Sequence, residues 1–106
     1  MTYDNQRSYE RYGYETQVQY AYSGEEKYYD AKMCNYSGGG MYFETPYPVE
    51  EGSKLYIKMK NYASSGSGPE AYETYYGKAR WSVPYAGSDT PYYGVGFQYK
   101  EPVNYS

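Results

Sequence analysis

Asn35, Ser37 and the run Gly38-Gly39-Gly40 concentrate more chemistry than any other stretch of this chain. In a β-strand, residues two apart project from one face, so Asn35 and Ser37 set an amide and a hydroxyl side by side. Tyr36 between them then points the other way, toward a core. Consecutive glycines permit backbone conformations closed to other residues and let a ligand approach the main chain. Exposed N–H groups on such a turn can also form an anion-binding nest. Upstream, Arg7 and Arg11 stand four residues apart. They are neighbours about 6 Å apart on a helical turn, and they share a side in an extended chain. In both cases two guanidinium groups can converge on one object. The plainer alternatives are a polar strand end with a glycine reversal, and a pair of solvated arginines.

Composition sets limits on what this chemistry can be. The chain has no His and a single Cys, which removes Ser-His-Asp and Cys-His nucleophilic sites, His-containing zinc sites and thiolate clusters. Its carboxylates are scattered, and no spacing singles out an acid/base pair. No catalytic residue, metal ligand or cofactor is therefore expected, and the chain is read as a binding protein, not an enzyme. The formal charge of −3 gives no global field to draw in polyanions, so no direct nucleic-acid partner is expected either. No apolar run approaches the roughly 20 residues needed to span a bilayer, and the N-terminus lacks a basic-then-apolar signal. With Cys34 alone there is no internal disulfide, which suits a cytoplasmic location.

Aliphatic residues are scarce: one Leu, one Ile and five Val. On that count alone the chain reads as disordered. Its 21 Tyr reverse the reading, because each can bury on the order of 150–200 Å² if its hydroxyl finds water or a partner. Tyrosine also favours strands. The expectation is a folded β domain with tyrosines in the core and on the surface, their hydroxyls at the rims.

The elements that must position the polar residues follow from the pattern. Residues 1–14 show no hydrophobic period and read as a flexible N-terminal arm carrying Arg7 and Arg11. Strands are predicted over 17–22, 27–37, 41–45, 54–60, 70–83 and 92–99. Lys54-Leu55-Tyr56-Ile57-Lys58-Met59-Lys60 is the clearest, with Leu55, Ile57 and Met59 on one face and lysines on the other. Those lysines are expected to be a solvated face that discourages edge-to-edge pairing. Pro84 is expected to end the fifth strand, with Tyr72 and Trp81 as its anchors. Gly94 and Gly96 read as tight bends at a barrel corner. Residues 15–100 thus form one domain, followed by a tail over 101–106. Six short strands with no amphipathic helix predict an all-β, antiparallel sandwich or barrel with little or no helix.

Taken in order, Arg7-x-x-x-Arg11, Asn35-x-Ser37-x-x-Gly40, Gly77-Lys-Ala-Arg-Trp81 and Tyr93-Gly-Val-Gly-Phe97 resemble the motifs of a PilZ domain, the bacterial receptor for cyclic di-GMP. The resemblance spans residues 7–99. It implies a six-stranded antiparallel split β-barrel with a ligand-clamping arm, and assigns Arg7, Arg11, Asn35, Ser37 and Gly40 to ligand binding. The residue chemistry agrees: a guanidinium can donate two bonds to guanine O6 and N7, stack on the base, or pair with phosphate. Asn35 can accept from a guanine amino group and donate in return. The implied partners are cyclic di-GMP and an unidentified downstream protein; the alternative is a ligand-independent interaction module on the same barrel. A barrel stacking single strands or sugars on tyrosine is a further rival.

Overall fold

Alternation builds the strands. In β1 (Tyr12–Tyr22), Thr16, Val18 and Tyr20 are buried while Glu15 and Gln17 face solvent. In β4 (Lys54–Met59), Leu55, Ile57 and Met59 turn inward without exception. With β2 (Tyr29–Tyr36), β3 (Gly40–Thr45), β5 (Thr74–Tyr85) and β6 (Tyr92–Tyr99) they form a six-stranded, wholly antiparallel sheet. The sheet closes on itself in the order β1-β2-β3-β6-β5-β4. This computed structural model describes residues 9–86 and 91–105. Its one helical element there is a 3-10 turn, Gly68–Ala71.

The interior is filled by Val18, Tyr20, Met33, Met41, Phe43, Leu55, Ile57, Met59, Ala79, Val95 and Phe97, with Tyr75 and Tyr99. Methionine and aromatic rings thus replace the missing aliphatics, as their adaptable shape and large area allow. Buried tyrosines find partners inside rather than only at the rim: Tyr20 Oη shares a hydrogen bond with Thr45 Oγ1 at 3.3 Å, and Tyr75 donates to the Pro69 carbonyl. Among the described residues no buried side-chain nitrogen or oxygen lacks a partner.

Several expectations are corrected. β1 begins at Tyr12, so residues 12–14 belong to the first strand and not to the arm. Glu70 sits in the 3-10 turn, where its carboxylate accepts from Tyr14 and Thr16 and ties that turn to β1. β5 therefore starts only at Thr74. It continues through Pro84, because the chain pairs there with Tyr93 without needing a donor from the proline. Tyr72 lies before the strand and is exposed, and Trp81 lies on the outer surface; the inward anchors are Tyr75 and Ala79. Gly94 and Gly96 are seats for side chains and not bends. A Cβ on Gly96 would lie 2.2 Å from Trp81 Nε1, and one on Gly94 would lie 2.5 Å from Tyr42 Oη. Finally, β4 is paired on both sides, with β1 and β5, so its lysines guard no open edge.

Candidate ligand-binding site

Three ladder irregularities shape one end of the barrel, at Gly13/Thr16 in β1, Met33/Asn35 in β2 and Ala79/Trp81 in β5. A bulge opposes two residues to one and re-aims the side chains beyond it. In β2, Ala31 and Met33 point inward, so a strict period of two would bury Asn35. The extra residue turns Asn35 outward and Tyr36 inward, where Tyr36 packs on the core. In β5, the shift leaves both Arg80 and Trp81 on the outside after the inward Ala79.

Strand pairing then brings the two polar motifs together. Gly13 lies opposite Asn35, which sets Arg11, two residues earlier, on the same side and next to it. The Arg11 guanidinium donates to Asn35 Oδ1 at 2.8 Å. Arg7, the other arm residue assigned to the site, lies outside the described residues.

The glycine turn is built differently from the sequence expectation. None of Gly38, Gly39 and Gly40 has a positive φ; among the described glycines only Gly24, Gly52 and Gly68 do. Close approach is what requires glycine here. A Cβ on Gly38 or Gly39 would lie 2.9 or 2.8 Å from the ring of Tyr9, which rests on the turn. A Cβ on Gly40 would lie 2.0 Å from the Phe97 carbonyl oxygen. Gly40 is thus a contact between β3 and β6. Ser37, one residue past β2, is buried, and its hydroxyl is engaged within the turn: it accepts from the Gly39 N–H at 3.1 Å and lies 3.4 Å from the Gly40 carbonyl. The Gly38 and Gly39 carbonyls accept from Val103 and Tyr99, so the tail and the end of β6 hold the turn from behind.

Arg11, Ser37, Gly40, Arg80, Trp81 and the edge of Tyr9 border an open cleft of ≈ 420 Å³, within the usual range for small-molecule sites. Its lining includes two guanidinium groups and no carboxylate. Trp81 stacks on Tyr42 with centroids 5.6 Å apart and remains 39% exposed, which leaves a flat aromatic surface beside the cations. A larger groove of ≈ 830 Å³ lies across Tyr9, but it is lined by tyrosines and Glu10 without a cation, so it does not suit an anion.

Sequence reasoning missed Tyr9, Arg80 and Trp81 as members of this site. Tyr9 had a signal, since in an extended arm it shares a side with Arg11. Arg80 and Trp81 had one in the Gly77-Lys-Ala-Arg-Trp81 motif, but the bulge that exposes both leaves no mark in the alternation of residues. Cys34, adjoining Asn35, is not a reactive thiol. Burial first, and the nearby Glu44 carboxylate second, push its pKa up to about 11.

The chain is thus a small closed β-barrel with a cationic cleft bordered by Trp81. The family model for the PilZ domain matches residues 5–104 of the 106, and the chain belongs to that family. PilZ domains are binding and adapter modules of cyclic di-GMP signalling. No curated protein matches the chain.

Proposed function

We propose that this PilZ domain is a cyclic di-GMP receptor that holds the messenger against the Asn35–Gly40 ledge under its arginine arm. The observation that carries the reading is the 2.8 Å bond between Arg11 and Asn35. It joins the arm and strand motifs across 24 positions of sequence, so a ligand has only to exchange one side-chain contact to be gripped by both. Cyclic di-GMP carries two phosphates and two guanines. The cleft offers Arg11 and Arg80 to the phosphates or to guanine O6 and N7 and Trp81 to a base face, and Asn35, bonded to Arg11 beside the cleft, can turn to a guanine edge. Chain connectivity keeps the Cα of Arg7 within about 14 Å of that of Arg11, close enough for a second fork to reach the same ligand. Ser37 and Gly40 serve the site by fixing the turn, and Ser37 retains one acceptor lone pair for the ligand.

The energetics are consistent with a switch. Fixing an arm costs about 1–2 kcal/mol per residue. Several charge-assisted bonds of about 1.5–3 kcal/mol each, with base stacking, offset that and leave micromolar affinity, about −8 kcal/mol. The new arm position is then the signal for a downstream partner. Titration calorimetry tests the clamp. Arg11→Ala is expected to weaken cyclic di-GMP binding by about 2–4 kcal/mol, on the order of 30-fold or more, and Arg7→Ala comparably. Wild-type affinity in either variant would end the clamp model, and no binding of the messenger at millimolar concentration would favour the ligand-independent interaction module.

A further inference from the structure

A second groove, of ≈ 490 Å³, lies on the outer surface of β4, β5 and β6 and is bordered by Lys54, Lys78, Arg80 and Lys100. Four of the ten Lys and Arg of a chain with formal charge −3 meet there. No carboxylate lines the groove, and among the described residues none of these cations forms an ion pair. Lys54 and Lys78 are directly opposed in the β4–β5 ladder, where like charges weaken the pairing. Because β4 is bonded on both sides, protection of an edge does not account for them.

We propose that this groove docks a short acidic segment of a partner polypeptide. Facing residues on neighbouring strands have Cβ atoms about 5 Å apart, and residues two along a strand are about 7 Å apart, so the stems of these cations start from a grid of that spacing. An extended acidic segment with carboxylates at alternate residues repeats at the same interval of about 7 Å. Charge also selects a short segment over a nucleic acid. At physiological salt a charge acts over only about 8 Å, so a segment confined to the groove meets its cations alone. A polynucleotide would run past them onto the rest of an acidic protein. It would also lack a stacking platform, because the ring of Tyr76 is already covered by Tyr56 at 4.8 Å and by the Lys100 ammonium at 5.8 Å. Arg80 and Gln98 border both this groove and the messenger cleft, and the Arg80 guanidinium donates to Gln98 Oε1. Docking itself needs no messenger, so it stands or falls independently of the receptor reading.

Fluorescence anisotropy on the full chain without cyclic di-GMP provides the test. The probes are a fluorescein-labelled peptide alternating Glu with Ser, its Gln-for-Glu counterpart, and a labelled oligothymidylate of equal length, all at physiological salt. The Glu peptide is expected to bind and the Gln peptide not to. Lys54→Gln/Lys78→Gln should weaken the Glu peptide roughly fivefold to tenfold. The melting temperature of that variant should hold or rise, since it removes an opposed like-charge pair and leaves the core untouched. No binding at millimolar protein, equal binding of the two peptides, or wild-type affinity in the double variant overturns the proposal. Tighter binding of the oligonucleotide, lost in the same variant, overturns it in favour of a nucleic-acid surface.

Discussion

Gly40→Ala is expected to lower the melting temperature by roughly 10–20 °C, a cost of a few kcal/mol. The new methyl would lie 2.0 Å from the Phe97 carbonyl oxygen and 3.2 Å from the Gln98 Cα. Both obstacles are backbone of the paired strand, so no rotamer change relieves them and β3 must part from β6. Gly13→Ala is the matched control: it too sits in a strand beside the site, and its methyl would meet nothing within 4 Å. It should leave stability within about 0.5 kcal/mol of wild type. Thermal melts of the two variants decide the matter, and equal stability would show that the β3–β6 contact is not what demands glycine. The consequence reaches the motif itself. A Gly40 variant that fails to bind would report a disturbed barrel, and not a lost ligand contact.

Alkaline pH should unfold this protein steeply. Burial pushes the Tyr20 phenol up to about 12, and it raises Tyr75 and Tyr99 as well. In the unfolded chain all three ionise near pH 10. A group whose folded pKa lies above its unfolded one holds its proton more tightly in the fold. Its contribution is therefore complete below pH 10 and is lost as pH rises toward 12. Three such groups give a slope of about 4 kcal/mol per pH unit in that window, enough to exhaust a stability of about 5–15 kcal/mol within a few pH units. Tyrosinate absorbance and far-ultraviolet circular dichroism, followed together, should show these phenols ionising only as the strands are lost. Complete ionisation near pH 10 with the sheet intact would contradict the packing described for Tyr20, Tyr75 and Tyr99.

These two cases also mark how far the amino-acid sequence could be read. The all-β barrel was legible, because Leu55, Ile57 and Met59 alternate cleanly with lysines and the other strands are bounded by Gly, Pro and Asn. The resemblance to the PilZ motifs grouped Arg11 and Asn35 around a ligand, and the direct hydrogen bond between them was not anticipated. The bulges were not legible. Asn35 was read outward and Tyr36 inward, as they are, but the bulge that puts them there was not foreseen, and the one that leaves both Arg80 and Trp81 outside, where Trp81 was expected as an anchor, carries no compositional sign either. The glycines were noticed for the wrong reason. Unusual backbone conformations, an N–H nest or close approach by a ligand were the reasons read at 38–40, whereas the close approach there is by a resting tyrosine ring and a neighbouring strand. The start of β5 was misplaced because Glu70, polar and apparently on a strand, is held in a 3-10 turn by hydroxyls from β1, a long-range contact that local pattern does not report.

Backbone amide chemical-shift mapping with cyclic di-GMP tests the receptor reading most directly. The predicted result is saturable perturbation concentrated at Arg11, Asn35, Gly39, Gly96 and the Trp81 indole N–H, with the β1–β4 side of the barrel unmoved. Unchanged spectra at millimolar messenger, or perturbations centred on the tyrosine groove bordered by Glu10 and Tyr105, would contradict it.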